Sequence, residues 1–187
     1  MMDPETRYNT DHELLAIVDA DDVVIGSKTR REIHQEGLRH RAVHILVFDS
    51  HGHLCLQKRS LSKDVNPGAW DTSAAGHVDF GEDYANAARR ELSEELSIHR
   101  PEAFEAIGRI DACALTGWEF VQIFACRYTG SITPNPEEID LLKWVSRDEL
   151  KRLLSEQPET ITRSFRQVWE LFVASELSPA FLAQDSD

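Results

Sequence analysis

The chain has 187 residues, enough for one domain with a real core, or one domain plus short extensions. Its formal net charge is −13 and nothing basic is clustered enough to track a phosphate backbone, which argues against nucleic acid as a general partner. Cys55, Cys113 and Cys126 are odd in number and lack metal-type spacing, so neither a disulfide framework nor a zinc site is indicated, and all three read as core or strand thiols.

No apolar run approaches the roughly 18 residues that a transmembrane helix requires, and the first residues lack a signal-peptide core, so no membrane association and a cytoplasmic location are expected. The first dozen residues are polar and are expected to be disordered. Apolar runs at 14–18 and 23–25 flank Asp19 and Asp22, which predicts a hairpin, and residues 30–37 predict a short helix leading to His40. A second hairpin is predicted from runs at 43–48 and 53–58, with Gly52 supplying the turn conformation. Pro67, Gly68 and Trp70 mark a loop before a short strand ending at Gly76.

Residues 83–96 are rich in Ala, Glu, Arg and Leu without Gly or Pro, and predict a helix. Strands follow near 104–111, 119–128 and 142–145, the last after a loop holding Pro134 and Pro136. Residues 147–154 predict a helix capped by Ser146, and 162–175 an amphipathic helix with Phe165, Val168, Trp169 and Phe172 on one face. The sum is a mixed sheet flanked by helices, without internal repeats.

Within the 83–96 helix, Glu91, Glu94 and Glu95 fall on one face, and Ala88, Leu92 and Leu96 on a neighbouring apolar face. Like charges at these spacings repel in a solvated helix. The crowding becomes favourable when a hard divalent cation sits between the carboxylates, because Mg²⁺ is held by carboxylates together with substrate phosphate oxygens. Three glutamates alone fit a solvated acidic face with Arg89 and Arg90 as counter-ions. Their surroundings change that reading: Gly76, Glu82, Arg90, Glu91, Leu92, Glu94, Glu95 and Ile98 stand in the register G-x5-E-x7-R-E-U-x-E-E-x-G-U, where U is aliphatic.

That register resembles the signature of the Nudix family, missing only the glycine at Ser97. Ser97 would have to take the left-handed conformation that glycine normally supplies there, at a modest cost. The resemblance implies a Nudix-type α/β/α sandwich with a mixed sheet over residues 38–175. Residues 1–37 would form an N-terminal extension of a β-hairpin and a short helix, and residues 176–187 a C-terminal tail. It implies a catalytic set of Arg90, Glu91, Glu94 and Glu95, with Glu91, Glu94, Glu95 and the Gly76 carbonyl holding Mg²⁺, or Mn²⁺ as the alternative. Arg90 would orient the glutamates through its planar fork, and Glu82 would support the loop and helix start.

A wider resemblance covers the stretch from Gly37 to Glu82, which is similar to type 1 isopentenyl-diphosphate isomerases and the Nudix hydrolases closest to them. It implies additional metal ligands at His40, His77 and Glu119, with His34 the nearest candidate for a third histidine. Those isomerases carry a proton-transferring cysteine where this chain has Ala75, and a second acidic ligand where it has Gly117. Arg59, with Lys58, ends a strand near the expected pocket mouth and is a candidate contact for substrate phosphate. Trp70 and Trp144 could stack on a base or pack in the core, and core packing is favoured. His44 shares a strand face with His40 and reads as a buried, hydrogen-bonded residue, whereas His51, His53 and His99 read as exposed.

The expected function is metal-dependent hydrolysis of a diphosphate linkage in a small nucleotide or related organic diphosphate. The alternatives are an isopentenyl-diphosphate isomerase-like protein, disfavoured by Ala75, and a non-catalytic diphosphate-binding module, disfavoured by the intact glutamates. Substrate choice would rest with loops at 60–70 and 130–140. The N-terminal hairpin could extend the sheet of a second subunit, and a homodimer is among the arrangements the resemblance allows.

Overall fold

A computed structural model describes residues 12–183; the disorder expected for the first dozen residues concerns positions that, His12 apart, lie outside them. Two strands, β1 (Leu14–Val18) and β2 (Val24–Thr29), form the predicted hairpin as a separate antiparallel sheet. Its turn is built by Asp19, whose carboxylate accepts from the amides of Asp21 and Val23. Asp22, at φ 64°, then fastens the hairpin to the rest of the chain: its carboxylate accepts from Arg41, Tyr84 and Arg109. Helix α1 (Arg30–Glu36) follows directly, started by a capping box between Thr29 and Glu32 and stopped by Gly37 in the left-handed region.

The main sheet has seven strands: β3 (His40–Phe48), β4 (Leu54–Arg59), β5 (Trp70–Asp71), β6 (Ala74–His77), β7 (Glu102–Ile110), β8 (Glu119–Arg127) and β9 (Ile139–Val145). Its spine runs β5-β4-β3-β8-β7, with β6 antiparallel to β3 and β9 antiparallel to β4. The β3/β8 pair is parallel and the sheet is mixed, as expected. Helix α2 (Tyr84–Leu96) covers one face, packing Ala87, Ala88, Leu92 and Leu96 on Val43, Ile45 and Val47. Helices α3 (Arg147–Glu156), α4 (Arg163–Ala174) and α5 (Ser178–Leu182) cover the other, where Leu150, Phe165, Val168, Phe172 and Phe181 meet Leu46, Phe48, Leu54 and Leu56. This is the α/β/α sandwich. The alternation of β3 between two apolar cores explains why it reads as a nearly continuous hydrophobic run.

The predicted cap recurs at Ser146, which starts α3 in a capping box with Glu149; Thr162, expected as the first residue of the next helix, instead caps α4 by accepting from the amide of Phe165. Ser97 takes the left-handed C-cap of α2 at φ 57°, and its hydroxyl donates to the Thr133 carbonyl. Beyond residue 176 the chain forms α5, which Arg127 pins by donating to the carbonyls of Ala180 and Ala183. Helix α5 lies against the turn at Gly52, where φ is 73° and a β-carbon would press on the Leu182 carbonyl, so that turn accepts only glycine. Two expectations need correction. Cys113 is exposed, opening a 3₁₀ turn at Ala114–Thr116, while Cys55 and Cys126 are buried strand thiols whose pKa burial raises to about 12. His53 is half-buried, its ring 2.9 Å from the Asp49 carboxylate, because the tight turn folds the two side chains together.

Strands β3 and β4 bridge at Phe48 and Leu54, beside their connecting turn. Further along, β3 pairs with β6 and β8 while β4 pairs with β5 and β9. Along this parting opens a cleft of about 1450 Å³, lined from β3, β4, β5, β6, α1 and α2.

Candidate active site

Two clusters of carboxylate and imidazole side chains meet at β6. Alternation along that strand turns Gly76 toward α2 and His77 toward the opposite face of the sheet. Glu91 rests directly against Gly76: a β-carbon there would overlap the Glu91 carboxylate. Glu95, one turn on, accepts from the Ala75 amide at 3.4 Å and from Gln57 Nε2 at 3.0 Å. Both glutamates are buried, whereas Glu94 sits at the exposed edge of the cleft. Burial pushes the Glu91 carboxyl up to about 7 and that of Glu95 up to about 8. Paired carboxylates held in this way need a cation to be ionised together.

Arg90 organises the group. Its guanidinium donates to Glu91 at 2.7 Å, to Glu94 at 3.2 Å, to Glu82 at 3.2 and 3.0 Å, and to the His77 carbonyl at 2.9 Å. Glu82 in turn accepts from the Asp79 amide, so the loop before α2, the helix and β6 are tied through one side chain. Burial works against the Arg90 charge, but the Glu82 and Glu91 carboxylates outweigh it and hold the guanidinium protonated.

On the other face, the parallel register sets His40 of β3 opposite Glu119 of β8, and His77 joins them from β6. His34 arrives from α1, and the ligating nitrogens of His34, His40 and His77 lie within 4.8 Å of one another. His40 is fully buried; its Nδ1 lies 2.9 Å from the Leu38 carbonyl and so carries the proton, leaving Nε2 as a bare acceptor with no protein partner. That nitrogen is 3.5 Å from Glu119 Oε1, and His77 Nε2 is 3.4 Å from the same oxygen. Acceptors converging at such distances match the edges of a metal's ligand shell, about 3.4 Å for a tetrahedral ion with bonds of about 2.1 Å. Burial lowers the His77 pKa, and it brings that of His34 down to about 4, so both rings are neutral and able to ligate at neutral pH. The donor set therefore fits a divalent cation, and its imidazoles favour a transition metal.

The basic side of the cleft comes from α1 and from the loop after β4. Arg30 and Arg31 line it, as do Arg59 and Lys63. Arg59 donates to the Val65 carbonyl and lies 3.5 Å from the Asp71 carboxylate; Lys63 pairs with Glu138 within electrostatic reach of Glu95. Lys63 and Arg30 did not stand out in the sequence; their one signal was position, just beyond Arg59 and just before His34. Trp70 packs against the core, and neither Trp70 nor Trp144 lines the cleft. His51 and His99 are exposed, as expected.

The NUDIX domain model matches residues 38–165. An isopentenyl-diphosphate Delta-isomerase of Serratia proteamaculans is 35% identical over 169 residues, covering 88% of this chain and 91% of the relative. An uncharacterized Nudix hydrolase of Pseudomonas aeruginosa is 51% identical over 92 residues, 49% of this chain and 54% of that protein. The crystal structure of DR0079 from Deinococcus radiodurans superimposes with a TM-score of 0.72 at 26% identity, covering 85% of this chain and 99% of that one. With the family model spanning most of the chain and relatives aligned along nearly all of it, the chain belongs to the Nudix family, as an enzyme of the Nudix hydrolase type.

Proposed function

We infer that the protein hydrolyses the diphosphate linkage of a small nucleotide or related organic diphosphate, using a divalent cation held on α2. The observation that carries this reading is the buried Glu91–Glu95 pair seated against Gly76 and clamped by Arg90, because such a pair is costly without a cation. Glu91, Glu94, Glu95 and the Gly76 carbonyl are the residues that would hold Mg²⁺ or Mn²⁺. When bound, the ion would supply charge neutralisation at the diphosphate and acidify a water for attack.

The chain's own contributions are positional. Arg90 fixes the carboxylates so that the ion and the scissile phosphorus share one geometry. Arg59 and Lys63, across the cleft, are suited to phosphate oxygens that the ion leaves uncovered. Water adds to phosphorus, the bridging P–O bond breaks, and the departing phosphate takes the electron pair. His34, His40, His77 and Glu119 are a second cation centre on the far side of β6, adjoining the same cleft. In the isomerase reading a proton must move on carbon at the position of Ala75, and a methyl group neither donates nor accepts one.

The test is turnover of a panel of nucleoside, sugar and prenyl diphosphates with Mg²⁺ and with Mn²⁺, comparing the native chain with Glu95→Gln. Release of phosphate from one or more compounds, abolished in Glu95→Gln, is the expected result. Tight binding of a diphosphate with no turnover under either metal would sink the reading in favour of a binding module.

A further inference from the structure

Further along β3 from the histidine cluster, one largely buried polar side chain faces the cleft. His40, Ala42 and His44 share a face of β3, so His44 lies four residues, about 13 Å, along the strand from His40. It is 6% exposed and lines the cleft. Its Nδ1 is 2.9 Å from Thr72 Oγ1, and that hydroxyl spends its own proton on the Ala74 carbonyl at 3.3 Å. With the hydroxyl proton assigned to the Ala74 carbonyl, which can only accept, Thr72 accepts from His44; this assignment places the ring proton on Nδ1 and leaves Nε2 as an acceptor with no hydrogen bond among the described residues. Burial lowers the His44 pKa, so the acceptor stays unprotonated at neutral pH.

The surroundings say what such an acceptor would meet. His44 stands directly opposite Ala75 in the β3/β6 register, so the two side chains share a face and the small methyl leaves room beside the ring. Arg59, Asp71 and Ser164 line the same end. Asp71 is locked by the Thr72 amide and the Thr162 hydroxyl, and Ser164 donates to Thr162. This wall is polar and hydrogen-bonded within itself. A hydrocarbon chain seated there would leave the His44 acceptor unsatisfied, whereas a hydroxyl or amino group would satisfy it.

We propose that the His44 end of the cleft is the subsite for the organic part of the substrate, and that Nε2 of His44 selects a moiety bearing a hydroxyl or amino donor, such as a sugar or nucleoside, over a prenyl group. The proposal rests on the diphosphatase reading for the identity of the phosphate end. Its test is a binding measurement that does not depend on turnover. Calorimetry with the full chain and Mg²⁺ would compare the α,β-methylene analogues of nucleoside diphosphates with that of isopentenyl diphosphate. The native chain should prefer a nucleoside analogue by about ten-fold or more, since a site built around a buried acceptor rejects partners that leave it unpaired. His44→Phe should erase the preference, and His44→Gln, which returns an acceptor near Nε2, should restore most of it. Equal binding of the prenyl analogue, no binding of any nucleoside analogue, or a preference that survives in His44→Phe would overturn the proposal. The melting temperatures of the two variants separate lost selectivity from lost folding. A preferred analogue whose parent diphosphate is bound but never cleaved would fail the diphosphatase reading and leave this one standing.

Discussion

Glu91 and Gly76 occupy space that only glycine can share: the carboxylate lies where a β-carbon at position 76 would fall. The contact joins β6 to α2. Gly76→Ala must push Glu91 away or move the strand. Overpacking of this kind costs on the order of 1–3 kcal/mol in stability, and a displacement near 1 Å costs about 10²-fold in rate. We expect kcat to fall by that factor while the melting temperature drops by several degrees. Native-like kcat in Gly76→Ala would show that the contact has no part in catalysis.

Glu91 and Glu95 give a pH dependence with a definite sign. Their folded pKa values, about 7 and about 8, lie above the ordinary 4.5 because burial penalises the charge. Between those limits the folded chain holds protons that the unfolded chain has released, so the stability of the metal-free protein falls as pH rises from about 4.5 to 8. Cation binding needs both carboxylates ionised, so affinity should rise through the same window and protons should be released on binding. Thermal melts of the metal-free chain and of Glu95→Gln would be compared at pH 5 and 8. The variant should show the shallower slope, and parallel slopes would refute the assignment.

Arg90 reaches Glu82, Glu91, Glu94 and the His77 carbonyl at once, which a point charge on a flexible stem cannot do. Arg90→Lys is therefore expected to lose about 10²-fold in kcat/KM and roughly 1–3 kcal/mol in stability despite keeping its charge. Kinetics and denaturant melts on this single variant check both. A loss in stability without one in kcat/KM would make Arg90 a purely structural clamp.

The grouping of Glu91, Glu94 and Glu95 was legible in the sequence because they lie on one helix, where spacing fixes the face they share, while their reading as metal ligands came from the resemblance to the Nudix signature. The N-terminal hairpin and the cap at Ser146 were legible for the same local reason. The histidine centre draws on α1, β3, β6 and β8, so spacing could not assemble it and only resemblance suggested it. Lys63 and the cleft-facing nitrogen of His44 were hidden, since both depend on β3 and β4 parting after Leu54 and on a hydroxyl, Thr72, that decides a tautomer. Cys113 was misread as a strand thiol because the segment between β7 and β8 turns outward.

The two ligand sets should be separable, because they share a strand but no side chain. His40 is the sharpest handle: its Nδ1 is committed to Leu38, so Nε2 has no role but to accept. Titration of the metal-free chain with Mn²⁺ or Zn²⁺ should reveal a class of site that His40→Phe weakens by at least about ten-fold and that Glu95→Gln leaves in place. Each imidazole ligand must be neutral, and with His34 titrating near 4 this site should stay occupied at pH values where the glutamate centre is already protonated. Lowering the pH from about 8 to 6 would then strip the glutamate centre first. Loss of both classes together, in either variant or on acidification, would mean that β6 carries one shared centre rather than two.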